Sequence, residues 1–118
     1  MAAANYDILI EQGATFKLNL RWKDGDGNGI DLDGYEARMQ IRKSSQSNNV
    51  ELELTSDGSD ESITFGSDYG FINIEVDANI TSGFDIRRGV YDLELIAPSG
   101  EITRLIQGSV TISPEVTK

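Results

Sequence analysis

The chain has 118 residues, 38% of them hydrophobic, and its 20 acidic and 10 basic side chains leave a formal net charge of −10. This length fits one domain, and so acidic a chain lacks the basic surface that nucleic acids and anionic membranes require. The chain has no Cys and no His, which excludes disulfides, the commonest metal ligands and any Ser–His or Cys–His nucleophile pair, so we expect a non-enzymatic protein without metal or cofactor.

Apolar and polar residues alternate in six runs, the pattern of β-strands with one buried face. The apolar positions of these runs lie within residues 16–22, 37–41, 50–54, 72–76, 91–95 and 102–112. Turn-forming residues separate the runs at roughly ten-residue spacing, which is typical of a sandwich or barrel. We therefore predict one all-β domain over residues 1–118, an antiparallel Ig-like β-sandwich of seven or eight strands with short polar terminal arms.

Two details of this pattern carry further predictions. In the last run Arg104 and Gly108 interrupt the apolar series, and a β-bulge near Gly108 would explain the break. Residues 77–89 hold one predicted helical turn, in which Ile80, Phe84 and Ile86 would close one end of the core.

Apolar runs are far shorter than the roughly 20 residues that span a bilayer, and the start lacks the charge pattern of a signal peptide.

The acidic stretch KDGDGNGIDLDG begins at Lys23 and resembles a calcium loop at first. Counted from Asp24, the EF-hand pattern fits through Gly29 and then fails, because Leu32 takes the ninth place and Tyr35 takes the twelfth. Asp-Gly and Asn-Gly pairs are also what hairpin turns require. We predict a hairpin turn, with the three glycines serving backbone geometry, and keep a weak cation site as the alternative.

Candidate binding residues come from exposed positions on the predicted strands. Arg38 and Arg42 share the outer side of the 36–42 run, which predicts a partner-binding surface. Arg104 has the parity of core-facing neighbours and is predicted to pair with a carboxylate or to contact a partner subunit. Three aromatic residues are candidates for stacking against a sugar, although their spacing also suits the core or a sheet edge: Tyr35, Tyr69 and Phe71.

Several segments resemble a group of small proteins encoded in tailed-bacteriophage genomes. The resemblance covers residues 6–42, with a QGATF start, a W-K-D-x-x-G-N turn and an A-R-M-Q-I-R strand, and residues 89–118, with Y-D-L-E-L and S-P-E-V-T. Gly29 stands where proline is common in that group, and Ile102 replaces the valine of a Val-Thr-Arg step. The turn is also similar to one in the Ig-like N-terminal domain of phage upper baseplate proteins.

This resemblance implies a virion structural protein, made in the cytoplasm of the bacterial host and docked on other virion proteins in symmetric copies. We expect an adaptor or accessory module in the tail or baseplate that links fibres or neighbouring tail proteins. A capsid decoration protein on the phage head is the second expectation. A β-sandwich that binds host glycans is the third, from a different class of function.

Overall fold

A computed structural model describes residues 3–56 and 62–117. Within them the chain forms nine β-strands and one helical turn, in the order β1 Ala4–Asn5, β2 Ile8–Glu11, β3 Phe16–Arg21, β4 Glu36–Arg42, β5 Leu52–Thr55, β6 Ile63–Phe65, β7 Phe71–Val76, α1 Ala78–Thr81, β8 Arg88–Ile96 and β9 Ile102–Ser113. The predicted all-β class is confirmed. Five predicted runs coincide with β3, β4, β7, β8 and β9, whereas the strand predicted at 50–54 begins only at Leu52, and Val50 is 40% exposed.

The strands form two sheets. The larger has the order β1-β9-β8-β4-β5, with β2 also paired to β9, and the smaller has the order β3-β7-β6. Neighbouring strands pair antiparallel except β1 and β2, which both run parallel to β9 in a single register. These two short strands therefore act as one interrupted edge strand, and their parallel pairing departs from the purely antiparallel prediction.

The interruption between β1 and β2 is held by contacts with β8 and β9. The Tyr91 hydroxyl donates a hydrogen bond to the Tyr6 carbonyl, and the Asp7 carboxylate accepts one from the Ser109 N–H at 2.9 Å. A Cβ atom at Gly108 would collide with the Tyr6 carbonyl. Gly108 thus permits a close approach of the N-terminal strand, which is a different role from the predicted bulge.

The bulge lies at Leu105 instead. Leu93 pairs with Ile106 but the next residue, Glu94, pairs with Arg104, so Leu105 has no partner of its own. Because successive side chains of a strand point to opposite faces, this extra residue turns Arg104 outward while Ile106 remains 7% exposed in the core. The prediction of a bulge near Gly108 was wrong in position, and the parity assigned to Arg104 was wrong for the same reason.

The core fills the space between the two sheets. Its central rows are at most 4% exposed and alternate with half-buried or exposed residues along β4, β7 and β8: Ala37, Met39, Ile41, Ile72, Ile74, Val76, Tyr91, Leu93 and Leu95. Burying each such Ile or Leu side chain stabilises the fold by about 1.5–3 kcal/mol. This alternation explains why the sequence forms these strands.

The helical turn α1 closes one end of the core, as predicted for residues 77–89. Phe84 and Ile86 are buried, but Ile80 is 42% exposed, so its predicted role was wrong. Thr81 is the buried residue of α1 instead, and its side chain is fully buried. Its hydroxyl donates to the Ala14 carbonyl at 2.8 Å and accepts from the Gly13 N–H at 3.1 Å.

Candidate functional site

The three predicted binding arginines lie together on the outer face of the larger sheet. Arg38 on β4 is directly opposite Glu94 on β8, and Glu94 is directly opposite Arg104 on β9. Arg42 lies two residues after Gln40 and faces the same side of β4. The bulge at Leu105 is what brings Arg104 onto this face. We call the surface around Arg38, Arg42 and Arg104 the arginine face.

Each guanidinium group of the arginine face already has partners. Arg38 Nη2 lies 3.2 Å from Glu94 Oε1, and Arg104 Nε lies 3.4 Å from Asp92 Oδ2. The predicted pairing of Arg104 with a carboxylate is therefore observed. Arg42 donates to the Ser47 carbonyl at 2.6 Å and to Gln40 Oε1 at 2.9 Å, which orients its planar group.

The arginine face contains a shallow groove of about 680 Å³, whose charged lining consists of the three arginines with Asp92 and Glu94. The groove thus carries more positive than negative groups, in a chain whose net charge is −10. Partial burial raises the pKa of Asp92, and the Glu94 carboxylate raises it further, while the three arginines act in the opposite direction. The groove is able to bind polar and anionic groups of a partner through its guanidinium donors.

Strand alternation alone was enough to place Arg38 and Arg42 on one face, and Gln40 follows from the same rule. The contribution of Gln107, which accepts a hydrogen bond from Arg104 Nη1 at 3.2 Å, was not predicted. It depends on the bulge and on the β4-β8-β9 order, and no local pattern in the sequence indicates either.

The acidic turn is a closed hairpin. Lys23 and Gly29 form an antiparallel bridge, and Asp24 N–H donates to the Asn28 carbonyl at 2.8 Å. Asp24 Oδ1 accepts hydrogen bonds from the N–H groups of Asp26 and Asn28 at 2.9 and 3.0 Å. The carboxylate that would begin a cation site therefore serves the turn itself. In residues 3–56 and 62–117, no three acidic side chains are grouped to hold a metal ion.

The three glycines of this turn have different roles. Gly27 has φ +86°, a left-handed conformation that favours glycine. Gly29 has no such angle, but a Cβ there would collide with the Tyr69 carbonyl. Gly25 has neither constraint, since a Cβ at that position would meet nothing within 4 Å. The prediction of a geometric role is confirmed for two of them and is wrong for Gly25.

The aromatic candidates for glycan stacking lie near this turn but do not form one platform. Tyr69 is 61% exposed. Tyr35 is half-buried and packs edge-on against Trp22, with ring centroids 6.0 Å apart. The Phe71 ring is covered by the Arg21 guanidinium, 4.7 Å from its centroid. Tyr35 and Tyr69 line a cleft of about 320 Å³, in which one ring is open to stack on a sugar.

No family model matches the chain, and the curated proteins contain no match to it. Across the described ranges, helices long and apolar enough to cross a membrane are absent.

Proposed function

We propose that the chain is a non-enzymatic docking module with Ig-like topology, that it is a structural adaptor in the tail or baseplate of a tailed-phage virion, and that it docks through the arginine face. The observation that carries this proposal is the alignment of three outward arginines across adjacent strands of a sheet. Arginine is enriched at protein interfaces because its planar group forms several directed hydrogen bonds.

Strand order supports the Ig-like part of the proposal. In variable-type Ig domains, one sheet contains strands G, F, C and C′ in that order, and the other contains B, E and D. Here β9-β8-β4-β5 and β3-β7-β6 have those orders and the same succession along the chain. The edge formed by β1 and β2 joins the larger sheet, beside β9. On this assignment the arginine face is the outer surface of the G-F-C-C′ sheet.

The virion part of the proposal is supported by the phage-like segments at both ends of the chain. Those segments include β4, which carries Arg38 and Arg42, and β9, which carries Arg104. The strands that build the arginine face thus lie in the parts of the chain that resemble phage proteins. The partners implied are other virion proteins, with copies of this chain at symmetry-related positions.

Replacing the two ion pairs of the arginine face by contacts with a partner costs little free energy. The side chains of Arg38 and Glu94 are 45% and 23% exposed, and those of Arg104 and Asp92 are 53% and 37% exposed. Exposed ion pairs contribute about 0–1 kcal/mol. A partner that buries the groove and supplies acceptors would make the same arginines contribute about 1–2 kcal/mol each.

Incorporation into phage particles tests this surface. The double variant Arg38→Ala/Arg42→Ala is expected to fold normally and to be incorporated at least about thirtyfold less when protein is limiting, since the two losses together are about 2–4 kcal/mol and each 1.4 kcal/mol is a factor of ten. The matched control, Lys23→Ala/Arg87→Ala, removes two exposed basic residues from other surfaces. Equal incorporation of the two variants, with circular dichroism spectra unchanged, would refute the assignment of the arginine face.

The location of the protein in the particle separates the alternatives. An adaptor is expected at low copy number and purifies with tails, whereas a decoration protein is expected at hundreds of copies on heads. A cryo-EM map of the particle distinguishes them directly. The glycan alternative relies on Tyr69, so it requires sugar binding that Tyr69→Ala abolishes and that the arginine variants retain.

A further inference from the structure

The strand β3 forms an open edge of the smaller sheet, because among the described residues it pairs with β7 and with no other strand. Its six residues pair in one unbroken register, from Phe16 opposite Val76 to Arg21 opposite Phe71. β3 contains no proline and no bulge, two of the devices that commonly blunt an edge, and its charged residues are Lys17 and Arg21. The strand at the other edge of this sheet, β6, has three residues.

Two backbone hydrogen bonds show which groups of β3 face the open edge. Trp22 N–H donates to the Gly70 carbonyl at 2.8 Å, which continues the register of β3 and β7. Glu75, opposite Lys17, donates its N–H at 2.9 Å to Ser62, on the far side of β7. Because bonding alternates along an antiparallel pair, the even-numbered residues bond to β7. The backbone groups of the odd-numbered residues, Lys17, Asn19 and Arg21, therefore point to the open edge.

The inner side chains of β3 leave the core partly uncovered along the same edge. Phe16, Leu18 and Leu20 are half-buried, whereas the residues opposite them on β7 are at most 1% exposed. An added strand with apolar residues on its inner side would cover this row. The open edge thus offers both backbone partners and apolar surface, the two contributions to binding by strand addition.

The outer side chains of β3 select the charge of an added strand. Lys17 and Arg21 flank Asn19 on the outer side, and the Lys17–Glu75 pair is loose, at 3.9 Å between mostly exposed groups. Antiparallel pairing with β3 of a second copy about Asn19 would place Lys17 opposite Arg21 twice. Like charges directly opposite are destabilising, whereas opposite charges contribute roughly 0.2–1 kcal/mol per pair. In this register the edge therefore disfavours its own copy, whereas an acidic strand places opposite charges across it.

We propose that the β3 edge binds an extended segment of a partner protein by strand addition, and that this segment has acidic residues four positions apart on one side and apolar residues between them on the other. The four-residue spacing matches Lys17 and Arg21, and the apolar residues cover the inner row. This inference goes beyond the proposed function, because it rests on the geometry of the smaller sheet and holds for any biological context of the chain.

A peptide titration into the isotope-labelled full chain tests the proposal. The probe is the capped peptide TEVTVET, with acidic second and sixth residues, and the control is TKVTVKT. At millimolar concentration the probe is expected to shift the amide resonances of Lys17, Asn19 and Arg21, and the control is expected to leave them unchanged. The variant Lys17→Glu/Arg21→Glu is expected to reverse this preference, which a purely apolar contact would not do.

A second variant tests the backbone contribution. Asn19→Pro removes an N–H that points to the open edge and leaves the bonds to β7 in place, so it is expected to abolish binding of TEVTVET, whereas Asn19→Ala retains it. Equal binding of both peptides, or no shift at these three amides, would overturn the proposal. A concentration-dependent dimer that Asn19→Pro abolishes would also overturn it, in favour of a second copy at the edge.

Discussion

The buried hydroxyl of Thr81 gives the sharpest test of how this fold is held together. Thr81 is fully buried, and its hydroxyl joins α1 to the turn before β3 through Gly13 N–H and the Ala14 carbonyl. Thr81→Val replaces the hydroxyl by a methyl group of nearly the same size. The substitution therefore removes both hydrogen bonds without opening a cavity.

The loss of stability in Thr81→Val follows from the hydrogen bonds that the Gly13 N–H and the Ala14 carbonyl lose. A buried donor or acceptor left without a partner costs about 1–3 kcal/mol. Gly13 is half-buried and Ala14 is exposed, so water replaces part of what is lost and the sum falls to about 2 kcal/mol. For a chain of 118 residues, an unfolding entropy of about 2.1 cal/mol/K per residue converts this into a melting temperature lower by roughly 8 °C.

Urea denaturation followed by fluorescence of Trp22, the single tryptophan, measures the effect. Thr81→Ser is the matched control: it keeps the hydroxyl, loses one methyl group and is expected to cost about 1 kcal/mol. Hydrogen exchange of the Gly13 amide is expected to accelerate in the Val variant and to change little in the Ser variant. If Thr81→Val is as stable as the wild type, the two hydrogen bonds contribute no net stability and the reasoning fails. A Val variant more stable than Thr81→Ser would contradict the expected order of the two variants.

Two further predictions concern other contacts. Burial, with Tyr6 and Asp7 adding to it, raises the pKa of Tyr91 from 10.0 to about 12. The folded chain thus holds this proton more tightly, so stability is complete below pH 10 and falls as the pH rises to 12. We expect a loss of about 1–2 kcal/mol after allowing for solvent screening, measured by urea denaturation at several alkaline pH values, and a weaker pH dependence in Tyr91→Phe. Gly29→Ala is expected to destabilise the fold by about 1–3 kcal/mol, because the added Cβ collides with the Tyr69 carbonyl. In the control Gly25→Ala the added Cβ meets nothing within 4 Å, so the melting temperature stays nearly unchanged. Equal melting temperatures for the two variants would contradict this account of the turn.

The strands that could be predicted from the sequence are those with three or more alternating apolar residues. β4 and β8 show this alternation in full. β2 offers only Ile8 and Ile10, and β6 has three residues, so neither produces a recognisable period. The β3 edge was likewise not predictable as an edge, because strand order is set by pairings between residues distant in sequence.

The arginine face was predictable in part for the same physical reason. Arg38 and Arg42 share a face through the local period of two, which holds in any sheet. Arg104 joins them only because Leu105 bulges, and in the sequence Arg104 has the same parity as the buried Ile106. A bulge at Gly108 would have explained the interrupted pattern equally well, so the position of Arg104 required the pairing of β8 with β9.

The two proposed contact surfaces belong to different sheets, and this separation matters for an adaptor. The arginine face is the outer side of the larger sheet, whereas the β3 edge is the lateral border of the smaller one. A partner flat on the first surface leaves the backbone groups of Lys17, Asn19 and Arg21 available to a second. A protein that links two others needs two surfaces of this kind, with different chemistry so that the partners do not compete. The arginine face offers side-chain donors in a groove, and the β3 edge offers backbone groups, so each proposal is testable while the other surface stays intact.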